Sequence, residues 1–167
     1  MSQDISTYKQ YNPARNGTYI FTITSSRNIS FKLQNAAVPG VMLGGTPFQT
    51  QLIDIIIPSN KIDFSGPLPL RMLLSEDLTE WIDVYRWMVE LTRENDISGD
   101  TAELTILNSQ NVPVLRFVYT GVWPLTLGDI QYTVVGEETV LSCDVSFNFD
   151  TFILENLKTG ERIGHAE

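Results

Sequence analysis

Between residues 141 and 150 apolar and polar positions alternate without a break: Leu141, Cys143, Val145, Phe147 and Phe149 against Ser142, Asp144, Ser146, Asn148 and Asp150. A period of two sends successive side chains to opposite faces, so the run predicts a strand with one apolar face and one wet, mildly acidic face. Shorter runs of the same period precede it. Residues 18–24 (TYIFTIT) and 29–34 (ISFKLQ) read as strands joined by a turn at 25–28. Residues 51–57 (QLIDIII), ended by Pro58, and residues 70–74 predict two more. Residues 102–107 and 112–120 flank the turn Asn108-Ser109-Gln110-Asn111, and residues 129–135 and 139–149 flank Gly136-Glu137-Glu138.

One segment has a different period. Leu78, Trp81, Ile82, Tyr85, Met88 and Val89 recur at helical spacing and predict a helix over residues 77–92. Val84, Trp87 and Leu91 widen the stripe, which predicts cover on more than one side. Ser75 is placed to cap its start, and Glu76, Asp77 and Glu80 suit the positive end of the helix dipole. Residues 35–50, with Ala37-Val38-Pro39-Gly40 and Gly44-Gly45-Thr46-Pro47, and residues 58–69 read as long loops. Loops of that length in a compact domain tend to serve function or an interface. The pattern therefore predicts a mainly β fold, an antiparallel sandwich or barrel with one inserted helix. Residues 1–16 read as a polar N-terminal arm, 17–154 as one β domain and 155–167 as a polar C-terminal tail.

Composition narrows the classes of function. A chain of 167 residues, 43% hydrophobic, can bury one sizeable core. Its net charge of -9 excludes a basic nucleic-acid footprint. The charge is uneven: residues 1–74 carry 6 Lys/Arg and 3 acids, residues 75–167 carry 5 and 17. That asymmetry suits electrostatic self-association or an acidic solvated surface. No apolar run reaches the roughly 20 residues of a membrane span, and the first residues lack an apolar signal core. These features predict a protein kept in a cytoplasm-like compartment and not bound to membrane.

Catalytic chemistry finds little to work with. His165 is the single histidine and Cys143 the single cysteine, the latter on the apolar face of the alternating strand. The sequence predicts no nucleophile–base site, no metal site and no cofactor. Gly40, Gly44 and Gly45 precede no helix, so they are turn glycines and not a phosphate cradle. Glu76-Asp77 and Glu137-Glu138 are acidic pairs better explained as helix-start and turn residues. Trp123 lies in a turn-rich segment, where it is either a core plug or an interface anchor.

The order of these elements, with Ala37, Pro39 and Gly40 in the first loop and then Gly121, Trp123, Pro124, Gly128, Asp129, Ile130 and Gln131 leading into the last strand, resembles the tail tube protein family of contractile-tailed bacteriophages. The resemblance spans residues 17–154 and is strongest over 121–150. It implies the tail tube type of antiparallel sandwich or barrel. It also implies homo-oligomeric, hexameric rings that stack into a tube, through which double-stranded DNA passes during ejection without specific binding. Sheath, baseplate and tube-end proteins would be its partners, in a virion assembled in the host cytoplasm. Type VI secretion tubes, tube initiators and tail-completion proteins share the superfamily. On this reading Ser142, Asp144, Ser146, Asn148 and Asp150 would face the lumen. The Trp-rich helix and the polar extension after residue 154 suit an end-of-tube member. From another class, a monomeric β-sandwich ligand-binding module with a patch at Trp123 and Tyr119 fits the same pattern.

Overall fold

The computed structural model describes residues 19–24, 29–31, 33–49, 52–64, 66–94, 99–132 and 140–164. The expected arm (1–16), the turns at 25–28 and 136–138, and His165 lie outside the described residues. The fold is mostly antiparallel β with one helix, as the alternation predicts.

Two strands organise it. β8 (Pro113–Leu127) pairs first with β10 (Thr151–Asn156) and then with β9 (Ser142–Asn148), Thr120 opposite Thr151 and Trp123 opposite Asn148. The Asp150 N–H donates to the Thr120 carbonyl at 2.9 Å, so β9 and β10 form one bent strand along β8. The bend falls at Gly121, which has a φ of 65°. A Cβ there would run into the Asp150 carboxylate, so only glycine fits both the conformation and the space. One extra residue of β8 is accommodated here against the neighbouring strand β7 (Asp100–Leu107). The side-chain phase slips accordingly, with Phe117 and Tyr119 inward before the bend and Val122 and Pro124 inward after it.

Each half of the ribbon recruits different partners. Sheet A runs β2 (Ile29–Phe31), β1 (Tyr19–Ile23), β7, β8, β10 and β11 (Glu161–Ile163). Sheet B runs from the end of β8 through β9 and β6 (Leu68–Leu73) to β3 (Leu33–Ala36). Their apolar faces meet. Phe21 and Ile23 of β1, Leu104 of β7 and Tyr119 of β8 close on Leu68, Leu70 and Met72 of β6 and Cys143, Val145 and Phe147 of β9. Phe147 touches both Phe21 and Trp87, at 5.8 Å between ring centres in each case. Fully buried aromatic rings of this size dominate the stabilisation of a core.

Trp87 belongs to α1 (Thr79–Glu94), which starts two residues later than the periodicity predicts. Ser75 does not cap it by reaching into the first turn. Its N–H and Oγ both donate to the Glu80 carboxylate, at 3.0 and 2.8 Å, behind a tight turn that ends at Leu78. The inward stripe is Leu78, Trp81, Val84, Trp87, Met88 and Leu91, whereas Ile82 and Tyr85 stay exposed. The predicted stripe is thus rotated, and the described residues leave Ile82 and Tyr85 exposed.

Three further expectations are corrected. The expected loops 35–50 and 58–69 contain a long hairpin, β4 (Val41–Gln49) with β5 (Asp54–Phe64), which forms a separate two-stranded sheet. Pro47 and Pro58 sit inside it because a ribbon with no third strand leaves outward N–H positions unused. Residues 129–132 of the expected strand 129–135 are not in a strand, and 133–139 lie outside the described residues. The expected polar tail from residue 155 is, up to Gly164, the end of β10, a turn and β11.

Candidate functional surface

The alternation of β9 places Ser142, Asp144, Ser146 and Asn148 on the outward face of sheet B. Asp150, the fifth residue of the expected set, stands beyond β9 at the bend, with its carboxylate over Gly121. Across the ladder, β6 sets Arg71 opposite Asp144, and β8 sets Thr126 opposite Ser146. Arg71 Nε lies 3.1 Å from the Asp144 carboxylate, and the Thr126 and Ser146 hydroxyls are 2.6 Å apart. In β3, β6, β9 and the 123–127 half of β8, Arg71 is the one base and Asp144 the one acid. Sequence reading predicts a mildly acidic face from β9 alone. The neighbouring strand supplies the compensating cation, so the assembled face is polar and close to neutral. Hollows of about 250 and 330 Å³ flank the ion pair, the first reaching Asn35 and Pro69, the second Asp129 and Ser142.

Both edges of this sheet are open among the described residues. β3 ends the strand order, and residues 123–127 of β8 pair with β9 on one side only. Trp123 stands at that second edge, outward and 36% exposed, so it is not a core plug. The outward face of sheet A is different. Glu103, Arg116, Glu155 and Arg162 make a ladder of ion pairs across β7, β8, β10 and β11 at 3.7, 3.5 and 3.2 Å.

The other motif residues hold the backbone together. Pro39 and Pro124 are buried, whereas Ala37 and Gly40 are exposed beside them. The Gly128 N–H donates to the Asp144 carbonyl at 2.7 Å, and a Cβ on Gly128 would stand 2.7 Å from that oxygen. Its own carbonyl accepts from Trp81 Nε1 at 3.3 Å and from the Cys143 thiol at 3.2 Å, which ties β9 to α1. Burial pushes the Cys143 thiol up, as befits a structural cysteine. Asp129 is exposed, and its carboxylate accepts from the Gln131 side chain. No cluster of three or more His, Cys, Asp or Glu side chains able to hold a metal occurs among the described residues.

The feature that sequence reading missed is the apolar hairpin. Phe48 pairs with Ile55 and Pro47 with Ile56, and the connecting tip carries Leu52 (94% exposed) and Ile53. Val41, Met42, Leu43, Ile56 (78% exposed), Ile57 and Ile62 are exposed as well. The base is anchored through Phe64, whose ring lies tilted at 5.3 Å from that of Phe149 and 5.0 Å from that of Phe152. The signal was present as two apolar runs placed symmetrically about residues 50–53, but the glycines and prolines between them read as loop.

No protein-family model and no curated protein matches the sequence. Solved structures do. A chain of the anti-feeding prophage baseplate superposes with a TM-score of 0.68 at 13% identity, over 89% of this chain and 99% of that one. A chain of the PVC sheath–tube complex, from an extracellular contractile injection system, gives 0.68 at 11% identity over 93% and 100%. Hcp1 from Salmonella typhimurium gives 0.54 at 10% identity over 87% and 90%. At such identities the likeness is one of fold, and it matches the family resemblance carried by residues 121–150. The chain shares the mainly β fold of these contractile injection system and Hcp chains.

Proposed function

We propose that the protein is a non-enzymatic subunit of a contractile tail or injection tube, closing into six-membered rings that stack. The observation that carries this reading is the pair of open edges on sheet B. An unpaired strand edge is a template for another chain, and joining β3 to the 123–127 edge of a neighbouring copy removes both edges in a closed ring. The outward face of β9, with Ser142, Asp144, Ser146 and Asn148, then lines the lumen, and Trp123 anchors the joint. The hairpin β4–β5 supplies ring-to-ring contact. An isolated two-stranded ribbon is marginal in water, and this one exposes large apolar residues along its length. In a phage the lumen would conduct DNA, with sheath and baseplate proteins around the tube. A second reading is favoured by the anti-feeding prophage tube-terminating cap, which has the same fold with a TM-score of 0.67. On that reading the subunit closes a tube end.

Native mass spectrometry of the purified chain, with electron micrographs at rising concentration, tests the proposal. Six-subunit species and hollow polymers are expected for the repeating subunit, and rings that never stack for the tube-end subunit. A strict monomer at high concentration, also in the presence of preformed rings, contradicts both.

A further inference from the structure

The four strands of sheet B carry one cation and one anion on their outward face, bonded to each other, and the exposed Asp129 just beyond β8 lines one of the hollows beside them. An exposed ion pair of this kind adds little to stability, too little to account for its presence. Its larger effect is on what approaches the face. Arg71 is half exposed and Asp144 more so, with an open hollow on either side, so neither is hidden from a large ligand. An unpaired guanidinium on a surface repeated in every subunit would act as a girdle of phosphate-binding groups. Nothing else on these four strands could bind or repel a polyanion by charge, since the remaining polar groups are hydroxyls and amides.

We infer that Asp144 acts as a mask: it occupies Arg71 so that the face stays non-adhesive toward a passing polyanion, and the face works by neutrality and not by repulsion. This rests on the proposal that sheet B lines a lumen. It assigns Arg71 and Asp144 a joint role that neither residue shows alone, and it predicts opposite consequences for their removal. Losing Asp144 uncovers a cation. Losing Arg71 uncovers a carboxylate, which changes little for a ligand that did not bind before.

The test uses Asp144→Asn, which is isosteric, Arg71→Gln, which leaves a shorter uncharged polar side chain, and the double variant. Binding of a labelled 30-base-pair duplex is measured at low and rising salt, and native mass spectrometry is run on the same samples. Asp144→Asn is expected to bind about tenfold or more tightly than the parent at low salt, with affinity falling steeply as salt rises. Arg71→Gln and the double variant should bind as weakly as the parent. Rings that form normally while Asp144→Asn gains no affinity overturn the mask and leave the tube reading standing. Tight binding that persists in the double variant also overturns it, since the adhesive cation would lie elsewhere. If no sample forms rings, the lumen reading fails and the mask fails with it.

Discussion

Sheets A and B share strand β8 and one apolar core, yet their outward faces are built on opposite rules. Sheet A carries a four-membered ladder of charges and ends in strands of three residues, β2 and β11, the latter reading Glu161-Arg162-Ile163. Short charged edge strands discourage further pairing. Sheet B carries one self-neutralised ion pair on its strands and, among the described residues, ends in open edges. Under the proposed assembly, edge chemistry, more than core chemistry, separates the surface that stays free from the one that is continued. The bend at Gly121 lets one strand serve both sheets, and the hairpin β4–β5 adds a third, apolar surface.

The largest break in this comparison comes from the bend. Gly121→Val puts a branched side chain at a φ of 65° and into the Asp150 carboxylate. It should cost about 3 kcal/mol, the left-handed penalty plus displacement of Asp150, read as a lower urea midpoint. An unchanged midpoint would mean that the two sheets do not depend on that corner. Next is the hairpin base: Phe64→Ala removes a ring from the cluster with Phe149 and Phe152. A loss of about 2 kcal/mol is expected, confined to the hairpin, so amide exchange should accelerate over residues 41–64 and hardly change in β7 or β8.

Charges at the tip sharpen the contrast between adhesive and free surfaces. Phe48→Glu with Ile56→Glu should shift folding stability by about 0.5 kcal/mol or less, because both side chains are exposed, yet abolish stacking in micrographs. Polymers of normal length would remove the hairpin from the assembly. The smallest effect concerns Tyr119, buried with no hydrogen-bond partner for its hydroxyl among the described residues. Desolvation raises its pKa above the ordinary 10.0, so the folded state keeps it neutral while the unfolded chain ionises. The stability it lends is whole below pH 10 and is lost as pH rises beyond that value. Tyr119→Phe should leave stability at pH 7 within about 1 kcal/mol and soften the alkaline loss, as thermal melts at pH 7 and 11 would show.

Much of the body was legible from periodicity. The alternation of residues 141–149 found β9 and its inward set Cys143, Val145, Phe147 and Phe149, all buried. The helix was found too, but its facing was not. Ile82 and Tyr85 belong to the apolar stripe by spacing and lie outside by packing, because single-chain periodicity cannot tell a core face from one left for a partner. The hairpin was missed for a related reason. Pro47, Pro58 and Gly44-Gly45 signal loop in a central strand, and nothing local announces that the strand is half of a free ribbon. The charge state of sheet B was unreadable as well, since Arg71 and Asp144 lie far apart in sequence and only register joins them.

The central claim is that sheet B is continued by a second copy through β3 and residues 123–127. Hydrogen–deuterium exchange resolved to those segments, compared between dilute and assembled protein, tests it most directly. Assembly should slow exchange at Leu33–Ala36 and at residues 123–127 together, and leave Glu161–Ile163 exchanging as before. Protection at β11 instead, with both sheet B edges still exchanging freely, would contradict the account.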